Sequence, residues 1–426
     1  MTIDGAAQHP FTLDADGEAW AAPTLAAPGT SWERGAAAVV ILEVDGRRRQ
    51  DLVVAGGAEP TEYLRSLGRL TRGPHVLRLA VDRRASVPPT GGVELLGLRT
   101  GGVADGDPSA PIWASAPILY YRHDAGLPDG VVTDTPLLLF YRGVASPAAP
   151  DSSRPGLEYH VVFSHEDAGT NLTGLLAKWG HTTDIEWIYR VEWNDSGGIA
   201  REEYQGRGHR TLPFRGERAW GAHPVLQVIG RHGMVTDRVD GTRRVALAPA
   251  LAQPEDEPRE GVLQRFPWIY RVSALEVLRQ VALEQTPDSS SPAPADLRGY
   301  LFLHWKRRPG ASQPLEAGVR IGGCWYTSAW GRPDLAFGGA DAESTAVKLP
   351  PGADDAAIDA IAVRAVSPVA VPIDAALVRA FRLDDRYLPG SALAARGAVR
   401  ITEPNTWAVA WERAGERPQS PGANAG

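Results

Sequence analysis

Apolar residues in this chain recur mainly at alternate positions over short stretches broken by Gly, Pro, Asn and Asp, a rhythm that predicts strands rather than helices. Residues 39–44 (VVILEV), the turn pair Asp45-Gly46 and the apolar return at 52–54 read as a β-hairpin. Residues 75–81 (HVLRLAV) divide between the two faces of another strand, and together these predict a small N-terminal β-sandwich. Stronger strand patterns follow around Ile118, Leu138, Val161, Ile188 and Val228, rich in aromatic and β-branched residues. A third group comprises LFLHWKR, VRIGGCWYTSAW, AIAVRAV, VRAFRL and WAVAWERA. One short helix is expected where Ser273 and Glu276 form an S-x-x-E capping box ahead of Val277, Leu278, Val281 and Leu283.

Two polar runs, 100–111 (TGGVADGDPSAP) and 286–296 (TPDSSSPAPAD), read as linkers. The expected architecture is therefore all-β, with three β-sandwich, jelly-roll-like domains: 1–105, a possible carbohydrate-binding module; 112–286; and 297–415. Residues 416–426 are expected to form a disordered tail. Composition agrees: the 46 Gly and 35 Pro exceed the usual share, and the 13 Trp outnumber the 2 Met. The net charge of −7 gives no global attraction to nucleic acid. No apolar run is long enough for an integral membrane segment. The first twenty residues lack an apolar core, so no secretory signal is expected and the default location is cytoplasmic, although unconventional export leaves no such mark. A single cysteine, Cys324, permits neither an internal disulfide nor a Cys-based metal centre, and its surroundings read as a buried strand.

The chemistry concentrates in GHTTDIEWIYRVEW, where His181, Asp184 and Glu186 are spaced H-x-x-D-x-E. Strict alternation from Asp184 puts Asp184, Glu186, Ile188, Arg190 and Glu192 on one strand face, and Ile185, Trp187, Tyr189, Val191 and Trp193 on the other, taken as the core face. Bare carboxylates cannot be buried cheaply, so the charged face meets water, an arginine or a metal. Two carboxylates about 6.8 Å apart along the strand can reach one cation. Oxygen donors with a single imidazole suit Ca²⁺ or Mg²⁺, with Mn²⁺ also admissible, better than structural zinc. A surface salt-bridge cluster with Arg190 and Lys178 is the alternative.

GHTTDIEW resembles the GHRHDWE heptapeptide of the necrosis-inducing, ethylene-inducing-peptide-like proteins, with His181, Asp184 and Glu186 matching its first His, its Asp and its Glu. Thr183 and Ile185 stand where that family has its second His and its Trp. The resemblance implies a divalent-cation site in a β-sandwich that recognises sugar head groups, with one more acidic ligand upstream. Asp167 occupies the similar place, with Glu166 beside it. VIGRHGM, with His232, is similar to a His-containing turn of a related vacuolar-sorting-protein family.

The expected function is divalent-cation-dependent binding of a glycan or polar head group by the central β-sandwich, the partner being a glycan or polar small-molecule ligand. The alternative is a metal-dependent hydrolase or glycosidase using the same acidic cluster. Asp184 and Glu186 fit the carboxyl spacing of either glycosidase class. If both ligate a cation, catalysis needs another acid or base, for which Glu166, Glu192 and His232 are the candidates. Trp32, Tyr63, Trp325, Tyr326 and Trp330 are candidate sugar platforms or core aromatics.

Overall fold

The computed structural model describes residues 1–3, 5–87, 92–122, 131–144, 156–166, 170–230, 232–253, 258–286, 288–307, 313–338, 342–393 and 397–413. The described residues are predominantly strand, in three successive pairs of mainly antiparallel sheets. In the first pair, Gly17–Ala26 lies against Val93–Ala104 and Arg65–Leu70, and the facing sheet runs Ala6–Leu13, Gly73–Val81, Ala38–Val44, Arg47–Val54. Asp45 and Gly46 are both left-handed, at φ 51° and 75°, as a tight hairpin with right-handed strand twist requires. Trp32 and Tyr63 are not surface platforms, since each is only 1% exposed. The Trp32 indole N–H donates to Glu276 Oε2 at 3.0 Å, and the Gly56 amide donates to the Tyr63 hydroxyl at 2.9 Å.

The central unit is built on a six-stranded sheet in the order Arg210–Pro213, Ile199–Gly206, Ile185–Trp193, Gly156–Phe163, Pro136–Val144, Pro249–Ala252. His223–Ile229 is the spine of its second sheet, pairing in parallel with Ile118–Tyr120. The expected alternation along Ile185–Trp193 fails at one residue. Trp187 stands opposite His160 and Tyr189 opposite Tyr159, so Ile188 is an extra, bulged residue. A one-residue insertion exchanges the faces beyond it. Glu186 therefore shares its face with Tyr189 and Val191. Trp187 shares the other with Arg190, whose guanidinium lies 4.9 Å from the Trp187 ring centroid.

On that second face Arg142, Glu158, Arg190 and Glu203 stand directly opposite one another on four neighbouring strands, an alternating ladder of charge. This ladder, not the candidate site, is where Arg190 makes its ion pairs.

The third pair of sheets runs Ala342–Lys348, Tyr300–Arg307, Ile373–Phe381, Ala398–Ile401 and Cys324–Thr327, Leu315–Ile321, Ile358–Ala365, Ala408–Glu412. Cys324 is exposed at an edge strand rather than buried. Trp325 is half-buried and stacks on Trp407 at 4.8 Å, and the half-buried Trp330 donates to Ser289 O at 3.2 Å. The anticipated tail, 416–426, lies outside the described residues.

The α-helices number four among the described residues rather than one: Ala110–Ala114, Leu172–Trp179, Val262–Arg265 and Trp268–Gln280. The last starts five residues before Ser273, which is thus inside the helix and not its cap. The Ser273 hydroxyl bonds Thr182 instead, and Glu276 is fully buried as the acceptor for Trp32. Neither polar run is a free linker. Val93–Ala104 continues into the first, and the Lys348 ammonium ties down the second by donating to Ser291 O at 3.0 Å and Ala293 O at 2.7 Å. The central core also takes in Trp32 and Val39 from the first sandwich and Phe302 and Phe381 from the third, so apolar packing is continuous across all three. No helix among the described residues is long and apolar enough to cross a membrane.

Candidate functional site

Backbone pairing brings the acidic residues together. The Phe163 amide donates to Asp184 O at 2.8 Å and the Glu166 amide to Thr182 O at 3.2 Å, so 164–166 and 181–184 run side by side beyond the strand ends. His165 Nδ1 donates to Thr182 O at 2.7 Å. In sequence the helix Leu172–Trp179 lies between these two segments. Asn171 caps its start by accepting from the Gly174 amide at 2.8 Å, and left-handed Gly180 (φ 59°) closes its end.

Glu166, Asp184 and Glu186 then line one cavity of about 280 Å³ together with His181, His209, His232 and Arg259. His232 Nδ1 stands 3.2 Å from Glu166 Oε1, and His209 Nδ1 stands 3.9 Å from Glu186 Oε2, which also accepts from the Gln205 amide. The two imidazole rings are 6.3 Å apart at their centroids. Arg259 donates to Ile185 O at 3.0 Å and to Glu260 Oε1 at 2.9 Å, and His181 Nε2 lies 3.6 Å from the same oxygen. Gly233 faces Asp184 at close range. Its φ is +57°, and a Cβ there would lie 2.6 Å from Asp184 Oδ2.

Asp184 is 3% exposed, and its Oδ2 has no hydrogen-bond partner among the described residues. Burial pushes its carboxyl well above the usual range, and the neighbouring Glu186 and Glu166 carboxylates push it further. Burial also raises Glu186, against the opposing effects of the Gln205 hydrogen bond and Arg259. Glu260 behaves oppositely. Burial alone would raise it, yet His181 and Arg259 hold it at about 2. Beside the cavity Glu260 is thus held ionised, whereas the cavity's own Asp184 and Glu186 are costly to ionise. Among the described residues no three His, Cys, Asp or Glu side chains are arranged so as to hold a metal ion by themselves.

No protein-family model matches the chain, and no curated protein matches it. Among solved structures, the chain is similar to Xyl-CBM35 in complex with a glucuronic acid-containing disaccharide, at 15% identity over 24% of this chain and 75% of that one, with a TM-score of 0.16. A ruminal GH26 endo-beta-1,4-mannanase matches at 11% identity over 35% of this chain and 28% of that chain, with a TM-score of 0.19. The lectin from Pleurotus ostreatus in complex with GalNAc matches at 8% identity over 92% of this chain and 86% of that one, with a TM-score of 0.12. Similarity this slight assigns neither fold nor ligand.

Of the residues singled out by sequence, His181, Asp184, Glu186, Glu166 and His232 all reach the cavity. Asp167 lies outside the described residues. Glu192 does not reach it. It is buried further along the strand, opposite Arg201. The surface-cluster alternative is overturned, because His181 and Asp184 are buried, Arg190 pairs with Glu158, and the Lys178 ammonium sits 5.9 Å from the Trp179 ring centroid. Sequence reasoning missed Arg259, His209 and Gln205, which come from distant segments with no spacing signal. His209 had one local hint: it follows Gly208, and both are left-handed (φ 69° and 57°), turning the loop toward the cavity.

Proposed function

We propose that the central cavity is a divalent-cation-dependent binding site for a small polar ligand, a glycan or polar head group. The observation that carries this reading is the buried Oδ2 of Asp184, unpartnered among the described residues, within hard-oxygen donors that repel one another. A cation relieves that repulsion where protons otherwise must, and all-carboxylate donors with imidazole at the margin suit Ca²⁺, Mg²⁺ or Mn²⁺. Asp184 and Glu186 would hold the ion, with water and ligand oxygens completing the set. When bound, the ion supplies a positive centre for ligand hydroxyl or anionic oxygens.

A volume near 280 Å³ falls just below the range of about 300–1,000 Å³ for drug-sized ligands, which favours a group of monosaccharide size. Trp179 offers an apolar wall, and His209, more than half exposed, stands at the solvent side. An array of neutral and acidic saccharides should show binding that is lost with EDTA and in Asp184→Asn. Binding indifferent to both would refute the proposal.

The hydrolase reading is favoured by one specific contact, the His232–Glu166 pair at 3.2 Å on the same wall, an imidazole–carboxylate arrangement suited to general acid–base chemistry. Turnover of any bound saccharide that falls about 10²- to 10⁴-fold in His232→Ala, with ligand affinity retained, would decide for it.

A further inference from the structure

The wall of this cavity belongs by sequence to the central unit but is held in place by the third sandwich. An α-helix leaves its last carbonyls without intrahelical donors. In Leu172–Trp179 one of these, Leu176 O, accepts from the Gly180 amide at 3.1 Å. The next, Ala177 O, accepts at 2.6 Å from the hydroxyl of Thr345, on the strand Ala342–Lys348. This is a helix C-terminus capped in trans by a residue 168 positions away.

The surrounding contacts are shaped to the same seat. Gly180 packs directly on the Thr345 backbone, where a Cβ would come within 2.7 Å of the Thr345 nitrogen. Ala177 is buried with Ala329 and Leu335 of the third sandwich in a small apolar cluster of their own, with Trp330 against it. Leu172 and Leu176 join the central core, while Leu175 and Trp179 line the cavity. The helix therefore has one side in each unit, and its last turn leads through Gly180 into His181 and Asp184.

We infer that the third sandwich is the positioning module of the central site, with Thr345 as the positioning residue: it holds the last helical turn so that Trp179, His181 and Asp184 stay in register. This rests on the cation-site reading above. Loss of the cap leaves a buried carbonyl without a donor and populates frayed forms of the turn. The apparent affinity then falls by the fraction that remains competent.

The test uses the full chain with Thr345→Val, which keeps shape and removes the hydroxyl, and Thr345→Ser, which restores it. Calorimetric titration with Mn²⁺ and Ca²⁺ should show affinity weakened by about five- to a hundredfold in Thr345→Val at unchanged stoichiometry, and returned to within about twofold in Thr345→Ser. Wild-type affinity in Thr345→Val would overturn the inference, as would a loss that Thr345→Ser fails to rescue. If Thr345→Val does not fold, Leu335→Ala, which loosens the same seat from the short 3-10 helix Pro333–Leu335, should weaken affinity in the same direction, and unchanged affinity there overturns the inference. A wild-type chain that binds neither ion sinks the cation reading, and hydrogen exchange then decides the cap separately. Amides 177–183 should exchange at least about tenfold faster in Thr345→Val while those of His223–Ile229 do not change, and equal exchange at 177–183 in the two proteins overturns it.

Discussion

Replacing Glu158 by Gln probes the charge ladder that braces the site strand from its far face. Glu158 is fully buried, accepts from Arg142 Nε at 2.7 Å and from Arg190 Nε at 3.0 Å, and stands 2.9 Å from His160 Nε2. Burial by itself would raise its carboxyl, but His160, Arg190 and Arg142 override it and hold the group at about 2 instead of the ordinary 4.5. At about 1.36 kcal/mol per pH unit, that gap corresponds to about 3 kcal/mol. The folded value is depressed, so this stabilisation is complete above about pH 4.5 and is lost as pH falls through about 2. Urea unfolding followed by tryptophan fluorescence should therefore find Glu158→Gln weaker than wild type by about 3 kcal/mol at pH 7 but by only about 1 kcal/mol at pH 3. Wild type keeps a second acid-sensitive group of the same kind in Glu260, so the variant retains part of the acid slope. A difference below about 0.5 kcal/mol at pH 7, or one of equal size at both pH values, would refute the reasoning.

Gly233→Ala forces a Cβ to 2.6 Å from both Asp184 Oδ2 and the Phe163 ring at a positive φ, and should cost about 1–3 kcal/mol in the same urea assay; a change within about 0.5 kcal/mol would show that the turn yields freely. Lys348→Met removes the donor that pins 286–296, so proteinase K should cut that segment at least about fivefold faster than in wild type, and equal rates would mean that the segment is held by something else. Cys324, exposed at an edge strand, should react with one equivalent of a thiol reagent in the native protein, and protection until unfolding would contradict the fold there.

Much of the strand content was legible because period-2 patterning and turn chemistry are local: Asp45-Gly46 announces its hairpin and forms it. The face assignment on Ile185–Trp193 was not, since the bulge at Ile188 is set by pairing with Tyr159 and His160 on another strand. The capping box misled because Ser273 and Glu276 satisfy the local motif while their partners, Thr182 and Trp32, are distant in sequence. The helix at 172–179 was not expected; its Asn171 cap is a local signal, but its Thr345 cap is not. The same division holds at the site. His181, Asp184 and Glu186 sit within one short motif and so could be read together, whereas Arg259 and His209 reach the cavity only through tertiary packing.

The central claim is most directly tested by titrating the folded wild-type chain with Ca²⁺, Mg²⁺ and Mn²⁺ in a calorimeter beside Asp184→Asn. The raised Asp184 carboxyl binds its proton more tightly in the folded than in the unfolded chain, so its ionisation costs stability as pH rises above the ordinary carboxylate range. Asn removes that cost, and the variant should be at least as stable as wild type at pH 7. The account predicts one site for at least one of the three ions in wild type and none in this well-folded variant. Silence for all three ions in wild type, or undiminished binding in Asp184→Asn, would contradict it.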